Sequence, residues 1–189
     1  MSLRALQPAP ASSRSRRPPT KADAARELLA RRGARAHMAG YIEYLDIGIT
    51  PAKHHRLIIE YLEAVERGDI PRLMIFLPPG AAKSVYASQI FPAWFLGKHP
   101  KKNVIAASHS AELAEKFGRR VRGFYSSTEH YRIFNFGVSK ESAAAGRWST
   151  SEGGEYFAAG AGAGIAGFRA DLGIIDDLSL IHISEPTRL

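Results

Sequence analysis

The chain of 189 residues carries 26 Lys and Arg residues against 18 Asp and Glu residues, which gives a formal net charge of +8 and a sequence pI near 9.9. Hydrophobic residues make up 45% and charged residues 23%, proportions typical of a globular chain, so the composition excludes wholesale disorder. The absence of cysteine excludes a disulfide scaffold, thiolate metal sites and a cysteine nucleophile.

The positive charge is concentrated at the amino terminus. Residues 1–36 contain nine Lys or Arg residues and two acidic residues, so they hold seven of the eight units of net charge. Residues 1–20 are rich in Pro, Ser, Ala and Arg and contain few large apolar groups, which predicts a disordered basic tail. From Lys21 to about Tyr44, helix-forming residues with spaced apolar groups predict a helix, weakened at Gly33, in an amino-terminal extension over residues 21–50.

Residues 51–77 predict a helix and then a strand. Apolar residues recur with helical spacing from Ala52 to Arg67, and Gly68 ends the predicted helix. The continuous apolar run over residues 71–77 has the length of a strand. Such a run predicts a strand that is buried on both faces, as in a parallel sheet.

Helices and strands alternate in the rest of the chain. The pattern predicts an α/β domain with right-handed crossovers, whose ligands bind at the carboxyl ends of the strands. The predicted elements are a helix over 85–96, a strand over 103–108, a helix over 111–125, hairpin strands and loops within 142–166, and an apolar strand over 171–175.

The segment LPPGAAKS, residues 77–84, lies between a predicted strand and a predicted helix, where a phosphate-binding loop requires it. A turn at this place directs backbone N–H groups and the positive end of the helix dipole at an anion, Lys83 can reach phosphates, and Ser84 can ligate Mg²⁺. The usual phosphate-loop pattern has glycine where this chain has Leu77 and Ala82. An ordinary strand-to-helix turn with a surface lysine is therefore an equal interpretation of this segment alone.

Two carboxylates follow the last predicted strand. Asp176 at the end of a buried strand can hold Mg²⁺, and Asp177 is then placed to orient or deprotonate an attacking water. A turn with a helix cap is the common alternative for such a pair. The lysine-containing loop and the carboxylate pair on neighbouring strands together favour a nucleotide phosphate site.

Several separate motifs between His54 and Asp177 occur in one order. They are HHRLIIEYLEAVERGDIPRLMIFLPPGAAKS, FPAWFLGKHP, VIAASHSAELAEKFGRRVR, RW followed by EGGEYFAAGAGAGIAGFRADL, and IIDD. In these motifs the chain resembles the amino-terminal ATPase domain of tailed-phage terminase large subunits. The resemblance implies a three-layer P-loop NTPase fold of the RecA/ASCE-like type over residues 51–177, carboxy-terminally incomplete, with a mostly parallel sheet and helices on both faces.

The resemblance also implies an activity. Members of this family hydrolyse ATP with Mg²⁺ to package double-stranded DNA into a capsid, as a homo-oligomeric ring with a portal protein and a small terminase subunit. Carried over to this chain, Lys83 and Ser84 would bind phosphate and Mg²⁺, Asp176 would hold Mg²⁺, and Asp177 would be the catalytic carboxylate. The nucleotide-binding loop would comprise Pro79, Gly80, Ala81, Ala82, Lys83 and Ser84.

The resemblance raises a question about positive charge in the transition state. Many members have Arg-His-Gly where this chain has residues 80–82, so the loop lacks their arginine. Arg122, Arg169 or a neighbouring subunit would supply that charge. His55 lies where related ATPases contact the adenine, although a helix start with solvent-facing histidines is the slightly favoured interpretation of this residue alone.

The last twelve residues do not follow the family pattern. Residues 178–189 look like a translated sequencing adapter, which predicts a non-native tail after a truncated ATPase domain, whereas a short native strand over residues 180–184 is the alternative. The nuclease domain of the family is absent from these residues, so we expect no DNA cleavage. A helicase-like ATPase and an inactive DNA-binding or partner-binding fragment are the alternative functions.

The chain has no membrane signal. No apolar run reaches the ~18 residues of a membrane-spanning helix, and the amino terminus lacks the apolar core of a secretory signal. We therefore expect no membrane partner and a location in the host cytoplasm, with transient binding at the procapsid portal.

Overall fold

The computed structural model describes residues 20–144, 146–160, 162–165 and 167–176. Within these residues the protein is α/β, with one five-stranded sheet and surrounding helices. The basic tail before Thr20, the carboxylate Asp177 and the tail 178–189 lie outside the described residues. The helices are α1 (Lys21–Ala36), α2 (Met38–Leu45), α3 (Lys53–Arg67), a π-helix (Val85–Ile90), α4 (Phe91–Lys98), α5 (Ala111–Tyr125) and α6 (Thr128–Phe134); the strands are β1 (Asn103–Ser108), β2 (Val138–Ala143), β3 (Arg147–Thr150), β4 (Glu155–Gly160) and β5 (Leu172–Asp176).

The predicted amino-terminal helix is two helices. Thr20, assigned from the sequence to the tail, caps α1 through a reciprocal hydrogen-bond pair with Asp23. The break falls at His37, whose backbone is extended, rather than at Gly33. The two helices cross closely: a Cβ atom at Gly40 would lie 3.0 Å from the backbone of Gly33. This close crossing explains why glycine suits position 40, whereas a Cβ atom at Gly33 would meet no atom within 4 Å.

Helix α3 confirms the prediction for residues 52–67. The apolar face of the helix is buried at Ile58, Ile59 and Leu62, as its spacing predicts. The helix ends at Gly68, which adopts the left-handed conformation (φ 83°).

The predicted buried strand over residues 71–77 is wrong. The segment has no strand partner among the described residues, although its side chains alternate in exposure as in a strand. Leu73, Ile75 and Leu77 pack against the core, whereas Met74 and Phe76 are 78% and 82% exposed. A continuous apolar sequence therefore occupies an extended segment that is buried on one face only.

The sheet is mixed rather than mostly parallel, which corrects the expectation from the sequence. Its strand order is β2-β3-β4-β1-β5. Strand β1 pairs in parallel with β4 and with β5, whereas β2–β3 and β3–β4 are antiparallel. The antiparallel part consists of the short strands β2, β3 and β4, in the region where the sequence predicts hairpin strands over 142–166.

The parallel strands determine where a site can form. Strand β1 lies between β4 and β5, and Ser108 at its carboxyl end lies beside Gly160 of β4 and Asp176 of β5. Helix α5 begins just after this end at Ala111, as predicted, with the side chain of Ser110 capping the backbone N–H of Leu113. The carboxyl edge of the sheet thus brings together chain segments that are distant in sequence.

The core is rich in aromatic residues. Trp94 and Trp148 are fully buried, and the α2 residues Met38, Tyr41 and Ile42 belong to the same cluster. The indole N–H of Trp94 donates a hydrogen bond to the backbone oxygen of Ala34 in α1. The amino-terminal helices therefore pack on the same core as the sheet. Among the helices described, none has the length and apolar character needed to cross a bilayer.

Candidate functional site

The loop after the extended segment has an unusual backbone. A tight turn closes between Pro78 and Ala81, whose N–H donates to the Pro78 oxygen over 3.2 Å. Gly80 (φ 81°) and Ala82 (φ 55°) both adopt left-handed conformations. Such a conformation costs a non-glycine residue about 1–2 kcal/mol. Ala82 therefore occupies, at some cost, a position that favours the glycine found in the usual phosphate loop.

A helical turn starts directly after this loop. The N–H of Val85 donates to the Ala82 oxygen over 3.0 Å, and the backbone is helical from Lys83 onward. The N–H groups of a first helical turn lack partners within the helix and attract anions. Lys83 and Ser84 lie in this turn and are half-buried, so both side chains remain accessible to a ligand.

The carboxylate of Asp176 lies at the carboxyl end of β5. Asp176 is only 5% exposed, beside the buried Ser108 of the neighbouring strand β1. A buried carboxylate needs a cation or hydrogen-bond donors to offset its lost hydration. The immediate surroundings of Asp176 supply both.

Lys83 is the cation nearest to this carboxylate among the described contacts. Its Nζ lies 3.7 Å from Asp176 Oδ1, and the lysine side chain is 38% exposed. The fold therefore brings together the two groups that the sequence assigned to one site. A lysine that faces both a buried carboxylate and solvent can contact an anion entering from the open side.

Ser88 is a site residue that the sequence did not reveal. It is 2% exposed in the π-helix, and its hydroxyl donates a hydrogen bond to Asp176 Oδ2 over 2.7 Å. The available signal was its spacing of four residues from Ser84, because residues at this separation lie on one face of a helix. No other feature of the sequence distinguishes Ser88 from an ordinary serine in a helix.

His55 lies next to the same helix. The backbone N–H of Ala52 donates to its Nδ1 over 3.1 Å, so Nε2 carries the ring hydrogen in the neutral form. Its ring stacks on Tyr86 at 4.5 Å between centroids, and burial raises the pKa of the Tyr86 hydroxyl. His55 Nε2 and Tyr86 Oη are buried without a partner among the described residues. The stacked pair therefore places two polar atoms without a described hydrogen-bond partner close to the loop, because Tyr86 follows Ser84 by two residues.

The two candidate arginines lie away from Asp176. Arg122 is one helical turn before Tyr125, whose ring lies 5.1 Å from Trp148. Through the β3–β4 and β4–β1 pairing, Trp148 is aligned with Val104 at the amino end of β1. Arg122 therefore lies toward the opposite end of the sheet.

Arg169 precedes β5 rather than following it. It is exposed and lies two residues before Asp171, which pairs with Asn103 at the amino ends of β1 and β5. A five-residue strand such as β5 spans about 16 Å. Within the described chain, Lys83 is thus the cation beside Asp176, and a charge from a neighbouring subunit stays a prediction.

Two side chains of the site offer oxygen atoms, the donors that Mg²⁺ prefers. No group of three His, Cys, Asp or Glu side chains that could hold a metal ion occurs in the described part of the chain. Mg²⁺ instead takes one or two protein oxygens and completes its shell with water and phosphate. The Asp176 carboxylate and the Ser84 hydroxyl are oxygen ligands of this kind, and Asp177 lies outside the described residues.

A cleft opens next to the Lys83–Asp176 pair. It has a volume of about 820 Å³ and lies between the extended segment and strand β5. Lys83, Ser88 and Asp176 line one part, and Met74, Phe76 and other apolar side chains line the rest. Its size falls within the range of small-molecule sites, about 300–1,000 Å³.

Comparison with protein-family models, curated proteins and solved structures gives no match to this chain. The fold and the site geometry therefore carry the structural argument about function. The resemblance to terminase ATPases rests on the sequence motifs.

Proposed function

We propose that this chain is the ATPase motor portion of a terminase large subunit, which hydrolyses Mg-ATP to drive packaging of double-stranded DNA. The observation that carries the proposal is the approach of Lys83 Nζ to within 3.7 Å of Asp176 Oδ1. A loop with left-handed residues at Gly80 and Ala82 leads directly into the helical turn that bears this lysine. The sequence motifs support the narrower assignment to terminases and to a P-loop NTPase fold of the RecA/ASCE-like type.

Each group of the site has a role in this proposal. Lys83 binds phosphate oxygens in place of its weak contact with Asp176, and the backbone N–H groups of Lys83 and Ser84, which precede the bonded N–H of Val85, bind the same anion. Ser84 and Asp176 hold Mg²⁺, which would neutralise charge on the phosphates when bound. Asp177 orients the attacking water, as the family resemblance implies. His55 is the adenine contact that the family resemblance implies, and its ring stacks on Tyr86 beside the helix that follows the loop.

The assembled motor requires partners beyond this chain. Double-stranded DNA, a portal protein, a small terminase subunit and further copies in a ring follow from the resemblance. Residues 20–36 carry five of the positive charges, and most of these side chains are exposed on α1. Such a basic segment would add salt-sensitive attraction to DNA phosphates.

A nucleotide titration of the whole chain tests the ATPase proposal. Binding of a fluorescent ATP analogue with Mg²⁺ should weaken at least ~10-fold in Lys83→Ala, since the charged contact with phosphate is lost. Lys116→Ala is the matched control, because Lys116 is an exposed lysine of α5 and its loss changes the net charge equally. Equal affinities of wild type and Lys83→Ala would reject the ATPase proposal and favour the inactive binding fragment.

A further inference from the structure

Ser88 and Asp176 form a buried hydrogen bond at the centre of the site. The Ser88 hydroxyl donates to Oδ2 over 2.7 Å, and the two residues are 2% and 5% exposed. A hydroxyl that donates to a carboxylate forms a charge-assisted bond, which is about twice as strong as a neutral one. Water competes little for this bond because both partners are buried.

The two carboxylate oxygens of Asp176 have different partners. Oδ2 accepts the short bond from Ser88, whereas Oδ1 faces Lys83 Nζ at 3.7 Å, beyond hydrogen-bond distance. Ser88 therefore fixes the rotation of the carboxylate about its Cβ–Cγ bond. Without this donor the carboxylate is free to turn about that bond.

The position of Ser88 depends on an uncommon helix type. Residues Val85–Ile90 form a π-helix, and the N–H of Phe91 donates to the Tyr86 oxygen, five residues earlier. Such wide turns are rare and are concentrated at functional sites. The π-helix contacts β5, so its buried face and the end of the strand are held together.

We infer that Ser88 is a positioning residue, which holds Oδ2 of Asp176 so that Oδ1 faces the metal and phosphate side of the site. This inference rests on the proposed function, because it names how the magnesium ligand of that site is oriented. Ser88 itself contacts neither nucleotide nor metal. Its loss should weaken the use of Mg²⁺ and leave metal-free nucleotide binding unchanged.

The pair Ser88→Thr and Ser88→Val tests the inference. The two replacements have nearly the same shape, and only threonine retains a hydroxyl. In the full chain with a fluorescent ATP analogue, the Mg²⁺ concentration for half-maximal binding should rise ~10-fold or more in Ser88→Val and stay within ~2-fold of wild type in Ser88→Thr. Nucleotide affinity in EDTA should be equal in both.

The outcomes separate the two proposals. Equal Mg²⁺ dependence of Ser88→Val and Ser88→Thr, in a wild type that binds the nucleotide, overturns the positioning role and leaves the ATPase proposal intact. A wild type that does not bind the nucleotide rejects the ATPase proposal and this inference with it. Far-UV circular dichroism verifies folding, and Ser88→Ala, which needs no additional space, replaces the valine variant if that variant does not fold.

Discussion

Lys83 and Asp176 meet at the carboxyl edge of the sheet, with 3.7 Å between Nζ and Oδ1. The lysine comes from the turn that follows the left-handed residue Ala82, and the carboxylate comes from the end of β5. Asp176 is nearly fully buried, whereas Lys83 remains partly open to solvent. This asymmetry suits a site in which the carboxylate is fixed and the lysine turns toward an incoming anion.

The left-handed conformation of Ala82 predicts an unusual gain from glycine. Ala82→Gly should raise the free energy of unfolding by about 0.5–1 kcal/mol, because relief of the left-handed conformation exceeds the added chain entropy of glycine. Ala81 has no positive φ, so Ala81→Gly is the matched control and should lower stability. Urea denaturation measures both. A loss of stability in Ala82→Gly would contradict the backbone assigned to this loop.

The sequence predicted most of the regular elements because their causes are local. Helix α5 has the predicted bounds, since an amphipathic repeat follows the capping residue Ser110. The continuous apolar run over 71–77 could not show how many of its faces are buried, because burial depends on the elements that pack against it in the fold. Helix α6 was missed because its seven residues are too short for a clear repeat, although Ser127 caps it.

Some residues of the candidate site could be predicted from the sequence, and others could not. Lys83 and Asp176 were found because each follows or ends an apolar run. The parallel pairing of β1 and β5 sets the place of Asp176, and the turn after the extended segment brings Lys83 to it. The hydrogen bond from Ser88 could not be predicted, since it depends on the packing of the π-helix against β5. Chain order alone would have placed Arg169 before the predicted strand 171–175 and Arg122 near the far end of the predicted helix 111–125, both away from the carboxyl edge that bears Asp176.

The alternation within the extended segment predicts opposite effects at adjacent residues. Ile75 packs against the core, so Ile75→Ser should lower the free energy of unfolding by about 1–2 kcal/mol. Phe76 is 82% exposed, so Phe76→Ser should change it by less than about 0.5 kcal/mol. Binding of a dye that reports exposed apolar surface should fall in Phe76→Ser. Similar destabilisation by Ile75→Ser and Phe76→Ser would instead support the prediction from the sequence that residues 71–77 are buried on both faces.

Close packing of α4 against α6 makes Gly97 sensitive to a single methyl group. A Cβ at Gly97 would lie 2.5 Å from ring atoms of the buried Phe134. Gly97→Ala should therefore lower stability by about 1–2 kcal/mol, despite the better helix propensity of alanine. Adding Phe134→Leu should recover part of the loss.

Gly123 provides the comparison for this change. It lies in α5 with open space at its Cβ position, so Gly123→Ala should stabilise the protein by up to about 1 kcal/mol. Thermal unfolding of both variants measures the difference. A stabilised Gly97→Ala would show that the two helices do not pack as closely as the structure describes.

The buried imidazole of His130 predicts a loss of stability in acid. His130 is fully buried, with Nδ1 hydrogen-bonded to Tyr41 Oη at 2.7 Å, and desolvation lowers the pKa of the imidazole to about 3. The unfolded chain protonates this group below pH ~6.5, so it binds more protons than the folded state between these two values. The contribution of neutral His130 to the free energy of unfolding should therefore be fully present above about pH 6.5. It should fall toward pH 3 by at most about 1.4 kcal/mol per pH unit.

A variant that does not titrate isolates this contribution. In His130→Gln, whose amide oxygen can still accept the hydrogen bond from Tyr41, the stability at neutral pH should fall but its decline between pH 6.5 and 4.5 should be shallower than in wild type. Urea midpoints at constant ionic strength measure the slopes, and His54→Gln, which replaces an exposed histidine, is the control. An unchanged slope in His130→Gln would mean that His130 protonates with equal ease in the folded and unfolded chains, which is incompatible with its burial among Tyr41, Tyr125 and Phe134.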